Sequence, residues 1–127
     1  DREGIGVVPW SPLARGYLTR PHGEYETTAR GSEEADSWAE RHAVYRAGGG
    51  AEINRRIREL AAGYGVTMAQ LTIAWHRHTD TVTAPIIGAS SVEHLEDAAE
   101  AVDVSLSDSD MAHIEEPYEP VPITGHD

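Results

Sequence analysis

The sequence predicts an α/β fold, two parallel strands with flanking helices, on three observations. Two short apolar, β-rich runs, Ile5 to Pro9 and Thr81 to Ile87, are closed by Pro9 and by Gly88. Between and after them the apolar residues fall at helical spacing. The resulting order is strand, long loop, two helices, strand, two helices. Strands separated by helices pair in parallel, with the helices packed outside.

The first run, Ile5-Gly6-Val7-Val8-Pro9, is apolar on both faces and predicts a buried strand over 5–9. Residues 10–50 read as one long connection that ends on Gly48-Gly49-Gly50, and a connection of that length is usually functional or mobile. Within it, residues 36–46 have room for a helical turn or two, anchored by Trp38, Val44 and Tyr45. Ile53, Ile57 and Leu60 lie at i, i+4 and i+7 and predict a helix over 51–62, stopped by Gly63 and Gly65. Thr67 caps a second helix over 67–78, with Met68, Leu71, Ile73 and Trp75 on its apolar side. The second strand spans 81–87. Ser91 caps a helix over 91–102 whose apolar stripe is Val92, Leu95, Ala98, Ala99 and Val102. Ser107 caps the last, over 107–116, with Met111 and Ile114 inward and Pro117 behind it; residues 117–127 read as an irregular tail. Two strands do not make a free-standing sheet. The pattern therefore predicts either self-association through an open sheet edge or a piece of something larger.

Charge narrows the function classes. Twenty-two acidic residues against ten basic ones give a net charge of −12, and every basic residue is arginine. Nucleic acid and anionic membrane both require a basic footprint, so neither is an expected partner. No apolar run approaches the roughly 20 residues of a membrane helix. With no cysteine there is neither a disulfide framework nor thiolate chemistry, which fits a cytoplasmic protein. Acid excess without lysine resembles proteins of salt-loving microbes, where dissolved ions screen self-repulsion.

Both strands run into the same kind of feature. Val8-Pro9 leads into Trp10-Ser11-Pro12-Leu13-Ala14-Arg15-Gly16, and Ile86-Ile87 leads into Gly88-Ala89-Ser90-Ser91 at a helix start. A strand end, a glycine, small hydroxyl residues and a helix N-terminus together favour an anion, because free backbone N–H groups and the helix dipole converge there. Two such ends in one short chain suggest a dinucleotide site. His76 and His78, two apart on one helix, point about 200° apart and make poor metal partners. No metal site is expected.

"GIGVVPWSPLARGYLTR", followed some distance on by "VTAPIIGASSVEHLEDA", resembles the last two βα units of an aldo-keto reductase. "YGVTMAQLTIAWHRH" and "IEEPYEPVPITGH" are similar to one branch of that family. The resemblance implies part of a TIM (β/α)8 barrel, whose sites lie at the C-terminal ends of the strands. It further implies that this chain is the C-terminal portion, strands seven and eight with their helices. It implies a nicotinamide cofactor, NADP with NAD as the alternative, and a small carbonyl substrate in the full-length enzyme.

Position by position, Trp10 matches the aromatic residue that stacks on nicotinamide. Ser11, Pro12, Leu13, Ala14 and Gly16 match the loop along the pyrophosphate. Arg20 and Arg30 match cationic residues that close over the cofactor. Gly88, Ala89, Ser90 and Ser91 match the cradle of the adenosine 2′-phosphate, and His94 and Asp97 match residues that hold the adenine end. Ser91 stands where relatives often carry a cation, and Ala98 where they often carry asparagine, which weakens the preference for NADP. The family's catalytic tyrosine, lysine, aspartate and histidine are expected to be absent, since the chain has no lysine. No catalytic residue is assigned. A reading from another class is a non-catalytic acidic interaction module derived from the same barrel.

Overall fold

The computed structural model describes residues 3–25 and 44–122. Arg30, Trp38 and the rest of 26–43 lie outside the described residues, as do residues 1–2 and 123–127.

Among the described residues four helices carry the fold: α1 (Gly50–Tyr64), α2 (Met68–His78), α3 (Val92–Glu100) and α4 (Asp108–Glu115). Ahead of them come a 3-10 segment, Ala14–Thr19, and one helical turn, His22–Tyr25; a second 3-10 turn, Ala101–Asp103, extends α3. Local chemistry sets the ends. Gly65, at φ 68°, closes α1 with its N–H on the carbonyls of Ala61 and Ala62. Thr67 opens α2 with a capping box, its hydroxyl accepting from the Gln70 N–H while the Gln70 amide oxygen accepts from the Thr67 N–H. Ser107 and Asp110 build the same device at α4.

The core is helical. Ile57 and Ala61 of α1, Met68, Leu71 and Ala74 of α2, and Ile114 of α4 close around one centre, joined by Val104 and Leu106 from the connection before α4. Leu71 is completely buried. Arg56 ties the sequence-distant ends together: its guanidinium donates to the His113 carbonyl at 2.7 Å and to Glu116 Oε2 at 2.6 Å. The same arginine shares Glu52 with Arg55, and Arg55 also pairs with Glu59.

The two predicted strands do not form. Among the described residues the runs pair through two isolated parallel bridges, Val7 to Val82 and Trp10 to Ile86, and the Thr83 hydroxyl accepts from the Val7 N–H at 3.1 Å. The Thr83 N–H donates to the Val7 carbonyl at 2.8 Å and the Ile86 N–H to the Pro9 carbonyl at 2.9 Å. Nor are the runs buried, with Ile5 74% and Val8 52% exposed. A parallel strand needs a neighbour on each edge and a covered face to become regular. Among the described residues each run has one partner and no cover. Pro9 and Pro85 also remove a donor from each side.

Most of the apolar stripe predicted for the third helix is likewise uncovered, Ala98 alone being half-buried. Val92, Leu95 and Val102 are all exposed, and α3 itself buries no residue. Instead α3 and its 3-10 extension are held to α2 by polar bonds: Gln70 Nε2 to Glu100 Oε2 at 2.8 Å and Arg77 Nη1 to the Val102 carbonyl at 2.7 Å. Gly48-Gly49-Gly50 is not a loose end of a loop. A Cβ on Gly49 would stand 2.0 Å from the Pro117 carbonyl oxygen, and one on Gly50 would stand 1.8 Å from that of Tyr45. The glycines let the start of the tail cross the entry to α1, where the Glu119 N–H donates to the Gly48 carbonyl.

Candidate functional site

The parallel bridges place the two strand-end loops side by side. Beyond Trp10 the chain folds back on itself through an unusual series of conformations: Ser11, Ala14 and Arg15 have φ of 53°, 48° and 58°, and Gly16 follows at 99°. Only glycine enters this region freely, and each of the other three costs roughly 1–2 kcal/mol. Such a loop persists only where its surroundings hold it. Internally, the Ala14 N–H donates to the Ser11 carbonyl at 2.9 Å and the Gly16 N–H to that of Leu13 at 3.0 Å. Thr19 Oγ1 donates to the Gly16 carbonyl at 2.9 Å.

Two helices hold the loop from outside. Asn54 of α1 is 1% exposed and spends its whole amide on it. Its Nδ2 donates to the carbonyls of Tyr17 (2.7 Å) and Arg20 (2.9 Å), and its Oδ1 accepts from the His22 N–H at 3.0 Å. His76 of α2 bonds the Pro12 carbonyl through Nε2 at 3.0 Å. Tyr17 adds an aromatic pin, edge-on to Tyr25 with ring centroids 5.3 Å apart and bonded through its hydroxyl to His22 Nδ1. His78, on another side of α2, serves the core instead. Its Nδ1 donates to the Ala74 carbonyl and its Nε2 accepts from the Leu106 N–H. Both histidines are thus consumed by the fold, in opposite tautomers.

Between the loops lies a cleft of about 820 Å³, within the range of small-molecule sites. One wall is Trp10, Ser11, Pro12, Leu13, Gly16 and Arg20; the other is Gly88, Ala89, Ser90, His94 and Asp97. Both candidate motifs therefore open on one space. Ala14 and Ser91 do not line it. Ala14 closes the turn, and Ser91 is the N-cap of α3, its hydroxyl accepting from the His94 N–H at 3.3 Å. Ser90 Oγ instead bonds His94 Nδ1 at 3.2 Å. Trp10 is 65% exposed, its ring offered to the opening rather than packed away.

The cleft also takes residues that the motifs did not single out: Arg15, Thr19, Tyr25, Ile73, Ile86, Ile87 and Ala98. Arg15 is legible within its motif, whereas Ile73 reads from periodicity as core and reaches the cleft only because α2 runs beneath both loops. Among the described residues the cleft is lined by two arginines, Arg15 and Arg20, and by one acidic residue, Asp97. On a chain of net charge −12 this balance favours an anionic ligand. Gly88 leaves open space where a side chain would stand, so a ligand has access to backbone there.

Residues 1–119 match the aldo/keto reductase family. The chain belongs to that family. It is similar over 98% of its length, at 46% identity, to a Schizosaccharomyces pombe protein provisionally classed as an aryl-alcohol dehydrogenase, of which it covers 34%. An aldo-keto reductase of Alternaria alternata is 35% identical, with 97% of this chain and 32% of that protein covered. The versiconal hemiacetal acetate reductase of Aspergillus parasiticus is 32% identical, with 92% of this chain and 33% of the relative covered. The chain thus spans about a third of the length of the curated relatives it matches. The family fold is the TIM barrel; the described residues of this chain are mostly helical, with the two parallel bridges in place of strands.

Proposed function

We propose that this chain is the cofactor-binding, C-terminal part of an NAD(P)H-dependent aldo-keto reductase that reduces carbonyl compounds by hydride transfer. One observation carries the reading: the two strand-end motifs, far apart in sequence, line a single cleft that also holds two arginines. Its volume and its cationic lining suit a dinucleotide, and the open backbone at Gly88 suits close approach of a phosphate. When bound, the nicotinamide supplies the hydride. Trp10 offers a flat face for that ring. Arg20 joins the loop from Ser11 to Gly16 along the pyrophosphate, and Arg30 is assigned with it from sequence alone. Gly88, Ala89 and Ser90 take the adenosine end with His94 and Asp97, while Ser91 fixes the helix start behind them. NADP is the proposed cofactor. The chain has no lysine, so a tyrosine–lysine pair for protonating the carbonyl oxygen is not within it. The composition supports placing the protein in the cytoplasm of a salt-loving microbe.

Titration with NADPH tests the reading. Tryptophan fluorescence should be quenched, the quench should vanish in Trp10→Leu, and the chain alone should oxidise no NADPH with an aldehyde. Absence of any response at millimolar NADPH would reject cofactor binding. Steady aldehyde-dependent oxidation would reject the claim that catalysis lies outside this chain.

The exposed apolar residues Ile5, Val8, Val92 and Leu95 favour one second reading, a non-catalytic module that associates through the edge beside the bridges. Sedimentation that shows a monomer at high concentration would dismiss it.

A further inference from the structure

We infer that His76, which neither lines the cleft nor belongs to either strand-end motif, is a positioning residue that sets the shape of the Ser11–Gly16 loop and thereby its grip on the cofactor. The inference rests on the cofactor reading of the cleft and adds to it the element that prepares the loop. His76 Nε2 lies 3.0 Å from the Pro12 carbonyl oxygen. A carbonyl only accepts, so Nε2 carries the proton. Nδ1 is then the bare nitrogen, and it is buried with no hydrogen-bond partner among the described residues. The ring is fixed in one tautomer and committed to a single bond.

The placement of that bond matters. Pro12 is buried and sits between the left-handed Ser11 and the left-handed pair Ala14 and Arg15. Proline has no N–H, so its carbonyl is the only backbone group by which Pro12 itself can be held. The backbone bonds that shape the turn's front half are local, from Ala14 to Ser11 and from Gly16 to Leu13. His76 supplies a long-range one. It sits one turn beyond Ile73, which lines the cleft, and Thr72 Oγ1 on the same side of α2 is 3.3 Å from the Leu18 carbonyl. Trp75, edge-on to the His76 ring with centroids 4.9 Å apart, is itself tied to Glu115 through Nε1. The anchor is therefore mounted on the rigid part of the molecule, as preorganisation of a binding loop requires.

The test compares His76→Leu, which removes the donor, with His76→Gln, which restores an N–H at similar reach. Two readouts are used. Amide hydrogen exchange at Ala14, Gly16 and Leu18 should quicken roughly tenfold in His76→Leu, while α1 and α2 amides keep their rates. NADPH affinity should fall roughly five- to tenfold, the scale of one buried hydrogen bond. Binding of 2′-AMP, which lacks the pyrophosphate and reaches only the wall from Gly88 to Asp97, should not change. His76→Gln should recover most of both effects. Equal loss of NADPH and 2′-AMP, or faster exchange throughout α2, would reduce His76 to general support and overturn the inference. Unchanged loop exchange in a variant that still binds NADPH normally would overturn the claim on His76 alone. Faster loop exchange in a chain whose wild type binds no NADPH would instead overturn the cofactor reading, and with it the claim on affinity.

Discussion

The helical core and the bridged rim use similar residues and treat them oppositely. Leu71, Ile57 and Ile114 are buried within the core, while Ile5, Val8, Val92 and Leu95 lie exposed along the rim. A helix satisfies its backbone hydrogen bonds from within, so α1, α2 and α4 need one another only to cover their apolar faces. A parallel strand takes every backbone bond from a neighbour. Among the described residues each run has one neighbour, and pairing stops at two bridges. The candidate site straddles the two regions, with loops at the rim and anchors in the core.

That contrast is best broken by paired truncations. Leu71→Ala removes a completely buried side chain from α2 and should cost about 2–5 kcal/mol in urea unfolding. Val8→Ala at the rim should cost no more than about 0.5 kcal/mol. Equal losses would mean that the rim is packed in solution, by association of copies or by another partner.

Helix caps sharpen the comparison at an intermediate scale. Thr67→Ala breaks the capping box of α2 and should lower global stability by about 1 kcal/mol. Ser91→Ala removes the simpler cap of α3, a helix with no buried residue. Its effect should appear as faster local hydrogen exchange in α3 with little change in the global midpoint.

The smallest effects concern charge. Hydrogen bonds from Arg55 and then Arg56 pull the Glu52 carboxyl from 4.5 down to about 2. The hydroxyls of Ser107 and Tyr64 hold Asp110 below its ordinary value. A carboxylate whose folded pKa is depressed stabilises the protein above its unfolded pKa and ceases to do so as pH falls through the folded value. Both contributions should therefore be present at neutral pH, and that of Glu52 should fade between about 4.5 and 2. Glu52→Gln should flatten that limb of an acid titration followed by circular dichroism. Because the Arg55–Glu52 pair is exposed, salt should shrink the difference. If the acid-rich surface is an adaptation to salt, the wild-type midpoint at neutral pH should drop in salt-free buffer; an unchanged midpoint would count against that origin.

Much of the site is legible in residue order. The glycines, hydroxyls and aromatic of the two motifs mark loops by local chemistry, and the structure brings them to one cleft. Thr67, Ser91 and Ser107 announce helix starts because a cap depends only on the next few residues. Arg15 is visible too, as the cation inside the first motif. Ile73, His76 and Asn54 are not legible in this way. Their spacing says only which helix they ride on, and their partners lie far along the chain: Pro12 for His76, and Tyr17, Arg20 and His22 for Asn54.

By itself, then, the sequence determined the helices, their caps, the two loop chemistries and the charge of the surface, all of which act over a turn or two of chain. Tertiary structure alone decided that the apolar runs stay as isolated bridges, that most of the α3 stripe faces outward, and that α2 holds the Ser11–Gly16 loop while α1 holds the segment after it. Each of those depends on which distant neighbour is present to donate a bond or cover a face, and periodicity carries no record of that.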